Sequence, residues 1–125
     1  MHKSAATTLS RRLIEVPGMV EPERALLADI VSCIVERCDP IQIILFGSRA
    51  RGQARPSSDV DLLVVLPPGE QLREQWGMLL DAVARFPIEV DVLITTQEEL
   101  NWRGQVPGFV HYAAIHQGKA LYEQL

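Results

Sequence analysis

The chain has 125 residues, 47% of them hydrophobic, and its 12 Lys and Arg against 16 Asp and Glu give a net charge of −4. That length suits one compact domain with one core. The acidic balance argues against a protein whose main work is coating nucleic acid, so no direct nucleic-acid binding is expected, and only a local basic patch remains open.

The N-terminal stretch "MHKSAATTLSRRLIEV" carries Lys3, Arg11 and Arg12 but no central apolar block, so it does not read as a secretory signal. The longest apolar run, residues 62–68, is far shorter than the ~20 residues a membrane span requires. A cytoplasmic protein with no membrane association is expected. Residues 1–20 are weakly patterned and form an extension without assignment, ending in the Pro/Gly-punctuated "VPGMVEP".

The spacing of Leu26, Leu27, Ile30, Val31, Ile34 and Val35 predicts an amphipathic helix over residues 21–37. Cys33 and Cys38 fall five apart on or just beyond it, where they cannot easily face each other, and read as reduced thiols. Asp39 and Pro40 stop the helix, and "IQIILF", residues 41–46, follows as a first strand. Residues 59–66 read as a second strand closed by Pro67 and Pro68. Helical spacing returns over 69–86 through Leu72, Trp76, Leu79, Leu80 and Val83, and "PIEVDVLIT", residues 87–95, is a third strand. Short helices are expected over about 96–103 and 107–117, followed by Gly118 and a terminal "KALYEQL" without assignment. The fold class is α/β (α+β), a small mixed sheet flanked by helices.

The second and third strands are joined by a full helix, which predicts a parallel pair. The link between the first and second, residues 47–58, is short for such a crossover and predicts an antiparallel pair. Gly47 and Ser48 at the end of one strand then lie beside Asp59 and Asp61 at the start of the next.

Side chains two apart on a strand share a face, roughly 6.5 to 7 Å apart at Cα, so Asp59 and Asp61 point one way while Val60 and Leu62 point the other. Two like charges on one spot call for a countercharge, and hard divalent cations such as Mg²⁺ take oxygen ligands of this kind. Asp91, inside "VDVLI", can reach the same site from a parallel third strand and accept a proton from an attacking hydroxyl; hydrogen bonding to nearby backbone is its plainer explanation. Glu89, on the same face, is a reserve candidate at the exposed strand edge.

In the loop, Gly47 allows close backbone approach, Ser48 adds a hydroxyl and can open a short helix facing an anion, and Arg49, Arg51 and Arg55 add positive charge. His111 and His116 lack a third ligand and read as core or surface histidines. Trp76 and Trp102 read as core or interface anchors, and Tyr112 and Tyr122 as packing residues.

Gly47-Ser48, ten intervening residues and then Asp59-Val60-Asp61 resemble the signature of the DNA polymerase β-like nucleotidyltransferase superfamily, with Asp91 as its third acid. "FGSRARGQARPSSDVDLLVV" and "QGKALYEQL" resemble the minimal nucleotidyltransferase (MNT) family in particular, over residues 21–125. The resemblance implies that Gly47 and Ser48 hold nucleotide phosphates, with Arg49 and Arg51 touching the triphosphate. Asp59, Asp61 and Asp91 would bind Mg²⁺, two ions in such sites, and Asp91 would serve as base.

The implied reaction is transfer of AMP from ATP to a hydroxyl with release of pyrophosphate. Larger relatives carry a domain for the acceptor, for which this chain has no room. The resemblance therefore implies an antitoxin that adenylylates a tyrosine on a HEPN-domain ribonuclease toxin, in a hetero-oligomer. An antitoxin acting by binding alone, or a small-molecule (aminoglycoside-like) nucleotidyltransferase, stays open.

Overall fold

The computed structural model describes residues 23–124, so the N-terminal extension lies outside the described residues. Helix α1 (Glu23–Cys38) buries Leu27, Ile30, Val31, Ile34 and Val35, one stripe at helical spacing. It ends because Asp39 turns left-handed, at φ 52°, a conformation Asp tolerates better than most residues, and Pro40 cannot continue a helix.

Strands β1 (Gln42–Phe46) and β2 (Val60–Val65) pair antiparallel, from Gln42 opposite Val65 to Phe46 opposite Asp61. Helix α2 (Leu72–Val83) returns the chain to β3 (Val90–Thr95), which lies parallel to β2 with Asp91 opposite Asp61. Both expected pairings are observed. Helix α3 (Gln97–Arg103) starts at Thr96, whose hydroxyl accepts from the Glu99 N–H at 3.3 Å, and α4 (Val110–Gln117) follows.

The terminal segment left without assignment is a strand. β4 (Lys119–Glu123) runs antiparallel to β1 and completes a four-stranded sheet of order β3-β2-β1-β4. Gly118 makes this possible, because a Cβ there would press on the Leu45 and Ala114 carbonyls and on Ile44.

The sheet is covered on both faces, which explains why Leu62–Leu66 are buried without alternation. On one face Ile43, Leu45, Leu62, Val64 and Val92 meet α1 and α2. On the other, Ile44, Leu63 and Val65 meet Leu100 of α3 and Ala114 of α4. At the outer edge of β3, the Trp76 indole N–H donates to the Val92 carbonyl at 2.6 Å. Cys33 and Cys38 carry free thiols, and burial, then Asp39, pushes that of Cys38 up to about 12. Among the described residues no helix is long and apolar enough to cross a membrane.

Candidate active site

Because β1 runs opposite to its neighbours, its C-terminal end meets the N-terminal ends of β2 and β3. That shared end collects Gly47, Ser48, Asp59, Asp61, Glu89 and Asp91, all within two residues of a strand terminus. Alternation then decides where the side chains go. Val60 and Leu62 enter the core under α1, while Asp61 lies on the face of Leu63 and Val65.

Carboxylate oxygens of Asp59, Glu89 and Asp91 all lie within 4.8 Å of one another. Asp61 lies opposite Asp91 across the β2–β3 pair. Its carboxyl is pushed up to about 6, first by burial, then by the charges of Asp91 and Asp59, with Arg51 pulling the other way. A hard divalent cation fits this donor set, since it accepts only oxygen ligands here and offsets the repulsion that raises Asp61. Glu89 is exposed, as its edge position suggests, and joins the group more closely than a reserve role implies. Its signal in the sequence was the two-residue spacing to Asp91.

The loop after β1 lies hard against this cluster. Gly47 has φ 78°, and a Cβ added there would collide with the Asp61 carboxylate. Glycine is thus required twice over, for its conformation and for its lack of bulk. The chain next makes hydrogen-bonded turns, with the Gly47 carbonyl accepting from Ala50 N at 3.1 Å and Arg51 N at 3.3 Å, and Ser48 O accepting from Gln53 N at 2.9 Å. Ser48 does not open a helix. The left-handed Gly52, at φ 71°, ends these turns, and a further turn follows at Pro56 and Ser57, where Ser58 N donates to Arg55 O at 2.9 Å.

The two arginines expected at the triphosphate part company. Arg51 is exposed, near enough to Asp61 to act on its charge, and donates to Gln53 Oε1 at 3.2 Å. Arg49 is buried, ion-paired with Glu23, and donates to Ser58 O at 2.7 Å. Its guanidinium sits beside Leu27, Ile30 and Val60, under α1 and on the far side of the sheet from Asp61. Burial of its charge against Glu23 thus sets Arg49 apart from the exposed Arg51.

The remaining candidates are structural. His111 is buried, its Nε2 lies 2.9 Å from Thr95 Oγ1, and burial, then Arg103, lowers its pKa. Tyr122 is buried in the core, whereas Tyr112 packs on His116 with ring centres 4.0 Å apart. Trp102 is exposed and meets Phe109 edge-on at 5.9 Å.

A protein of Methanocaldococcus jannaschii, provisionally named a protein adenylyltransferase, is 30% identical over 77 residues, 62% of this chain and 75% of that one. Two solved structures are similar at a TM-score of 0.47. One, provisionally described as a nucleotidyltransferase from Sulfolobus solfataricus, is 24% identical and covers 78% of each chain. The other, described as a toxin-antitoxin with AMP-PNP, is 21% identical and covers 77% of this chain and 73% of that one. Residues 25–115 match the nucleotidyltransferase domain family. With that match extending from α1 through the acid-bearing strands into α4, the chain belongs to the nucleotidyltransferase domain family, and its fold is the nucleotidyltransferase fold.

Proposed function

We propose that this chain transfers AMP from ATP, with Mg²⁺, to a tyrosine hydroxyl of a HEPN-domain ribonuclease toxin and thereby neutralises it. The observation that carries the reading is the meeting of acids at one end of the sheet, where Asp59, Glu89 and Asp91 bring carboxylate oxygens within 4.8 Å of one another and Asp61, coupled to Asp59 and Asp91, lies directly against Gly47. Asp59, Asp61 and Asp91 would hold the divalent cations, which supply countercharge for the phosphates and the departing pyrophosphate. The close backbone at Gly47 and Ser48 accommodates the triphosphate, and Arg51 offers it an exposed guanidinium.

Asp91 accepts the proton of the acceptor hydroxyl as its oxygen attacks the α-phosphorus; the bond to the leaving pyrophosphate breaks and AMP remains on the acceptor oxygen. An AMP group brings bulk and negative charge, which would hinder RNA binding by steric and electrostatic repulsion. Support for a protein acceptor comes from the adenylyltransferase name of the archaeal relative. The toxin reading comes from the resemblance of "FGSRARGQARPSSDVDLLVV" to minimal nucleotidyltransferases.

The test combines the chain, ATP, Mg²⁺ and the proposed HEPN-domain partner, followed by intact-mass spectrometry of the latter. One or more added AMP units are expected, lost in the Asp59→Asn, Asp61→Asn double variant. An unchanged mass overturns the reading. Neutralisation of the toxin in cells by that double variant would instead mark an antitoxin that acts by binding alone.

A further inference from the structure

We propose that Arg49 is a positioning residue, which with Glu23 ties the phosphate-side loop to α1 and holds Asp59 in place for metal; this rests on the nucleotidyltransferase reading above. A guanidinium offers five N–H donors in a fixed plane. At Arg49, Nε and Nη2 donate to the Ser58 carbonyl at 3.2 and 2.7 Å, Nη2 reaches the Pro56 and Arg55 carbonyls at 3.4 and 3.5 Å, and Nη1 pairs with Glu23.

The residue sits at the start of the loop and its acceptors sit at the end. One side chain therefore closes the loop on itself. The Ser58 carbonyl belongs to the peptide that joins Ser58 to Asp59, and on the other side of Asp59 the Val60 N–H donates to Glu89 O at 2.9 Å. The backbone of Asp59 is thus gripped on both sides, by Arg49 and by β3. Glu23 supplies the opposite charge that an arginine only 4% exposed requires. Lysine at this position keeps the charge but lacks the fork that reaches Glu23 and Ser58 together.

The experiment uses the full chain as wild type, Arg49→Lys and Glu23→Gln. Mn²⁺ binding is followed by electron paramagnetic resonance without nucleotide, and kcat and KM for ATP are measured in the AMP-transfer assay. Expected for Arg49→Lys is a loss of about tenfold in Mn²⁺ affinity, the lower end for partners that orient metal ligands. Its kcat should fall to a similar degree while KM for ATP stays within about twofold, because the lost interaction is not one with ATP. Glu23→Gln should move both readouts in the same direction by less.

Unchanged Mn²⁺ affinity in both variants, with a raised KM in Arg49→Lys, would put Arg49 at the triphosphate and overturn the proposal. Should Arg49→Lys fail to fold by circular dichroism, Glu23→Gln, altered only at a partly exposed carboxylate, decides between the same outcomes. Wild-type protein that binds no Mn²⁺ removes the transferase reading and the clamp together, whereas normal wild-type binding with unaltered variants removes the clamp alone.

Discussion

Asp61 lies opposite Asp91 across the parallel pair β2 and β3, so that the charge of Asp91 acts on the Asp61 carboxyl. Burial first, then the charges of Asp91 and Asp59, pushes Asp61 up to about 6, from an ordinary value of 3.8. Between those values the folded chain holds more proton than the unfolded one, so this group's contribution to stability falls as pH rises from about 4 to about 6. In EDTA, Asp61→Asn should therefore gain melting temperature relative to wild type on going from pH 4.5 to pH 7.5, measured by calorimetry. An identical difference at both values would contradict the assignment.

Metal should respond to the same proton. Cation binding requires ionised carboxylates, so Mg²⁺ affinity should rise between pH 5 and pH 7 and binding at the lower pH should release protons. Titration calorimetry in two buffers of different ionisation enthalpy measures both.

Asp91→Asn keeps the size of the side chain and removes its capacity to accept a proton. AMP transfer should fall by about 10²- to 10⁴-fold, the range for loss of a general base, while the far-ultraviolet spectrum is unchanged. Single-turnover kinetics with saturating ATP provide the measurement.

Gly47→Ala combines two faults, a left-handed conformation that costs an L-residue about 1–2 kcal/mol and a methyl group driven into the Asp61 carboxylate. Denaturant midpoints should show the first, and loss of Mn²⁺ binding should show the second. Gly52→Ala is the control, since its φ of 71° carries a similar backbone cost but nothing lies within 4 Å of the added carbon.

At the other end of the chain, Gly118→Ala presses a methyl group onto the Leu45 and Ala114 carbonyls. About 1–3 kcal/mol of destabilisation is expected, as for other overpacked sites, with hydrogen exchange rising first in β4.

The α1 and α2 segments could be read in advance from their helical spacing and β1 to β3 from their short apolar, β-branched runs, and Pro40, Pro67 and Pro68 mark ends. The acid cluster followed from strand alternation and from the two loop lengths, which together dictate one antiparallel and one parallel pairing. β4 could not be read that way. "KALYE" has no strand period of its own, and only pairing with β1, allowed by the missing side chain of Gly118, makes it extended. The burial of Arg49 could not be read for a related reason. In sequence it is one of three arginines in a loop, and what sets it apart is Glu23, 26 residues away on a helix packed against the opposite face of the sheet.

The bond from Trp76 to Val92 has a consequence for how another protein can approach. On the outer side of β3, the strand that carries Asp91, one carbonyl that an added strand would use already has a donor, and an indole stands over it. An incoming chain is thereby discouraged from extending the sheet at this border. For the acceptor hydroxyl of the proposed reaction, the approach this leaves open is end-on, over the tips of the strands where Gly47 and the carboxylates meet, with the indole standing as a doorpost beside it.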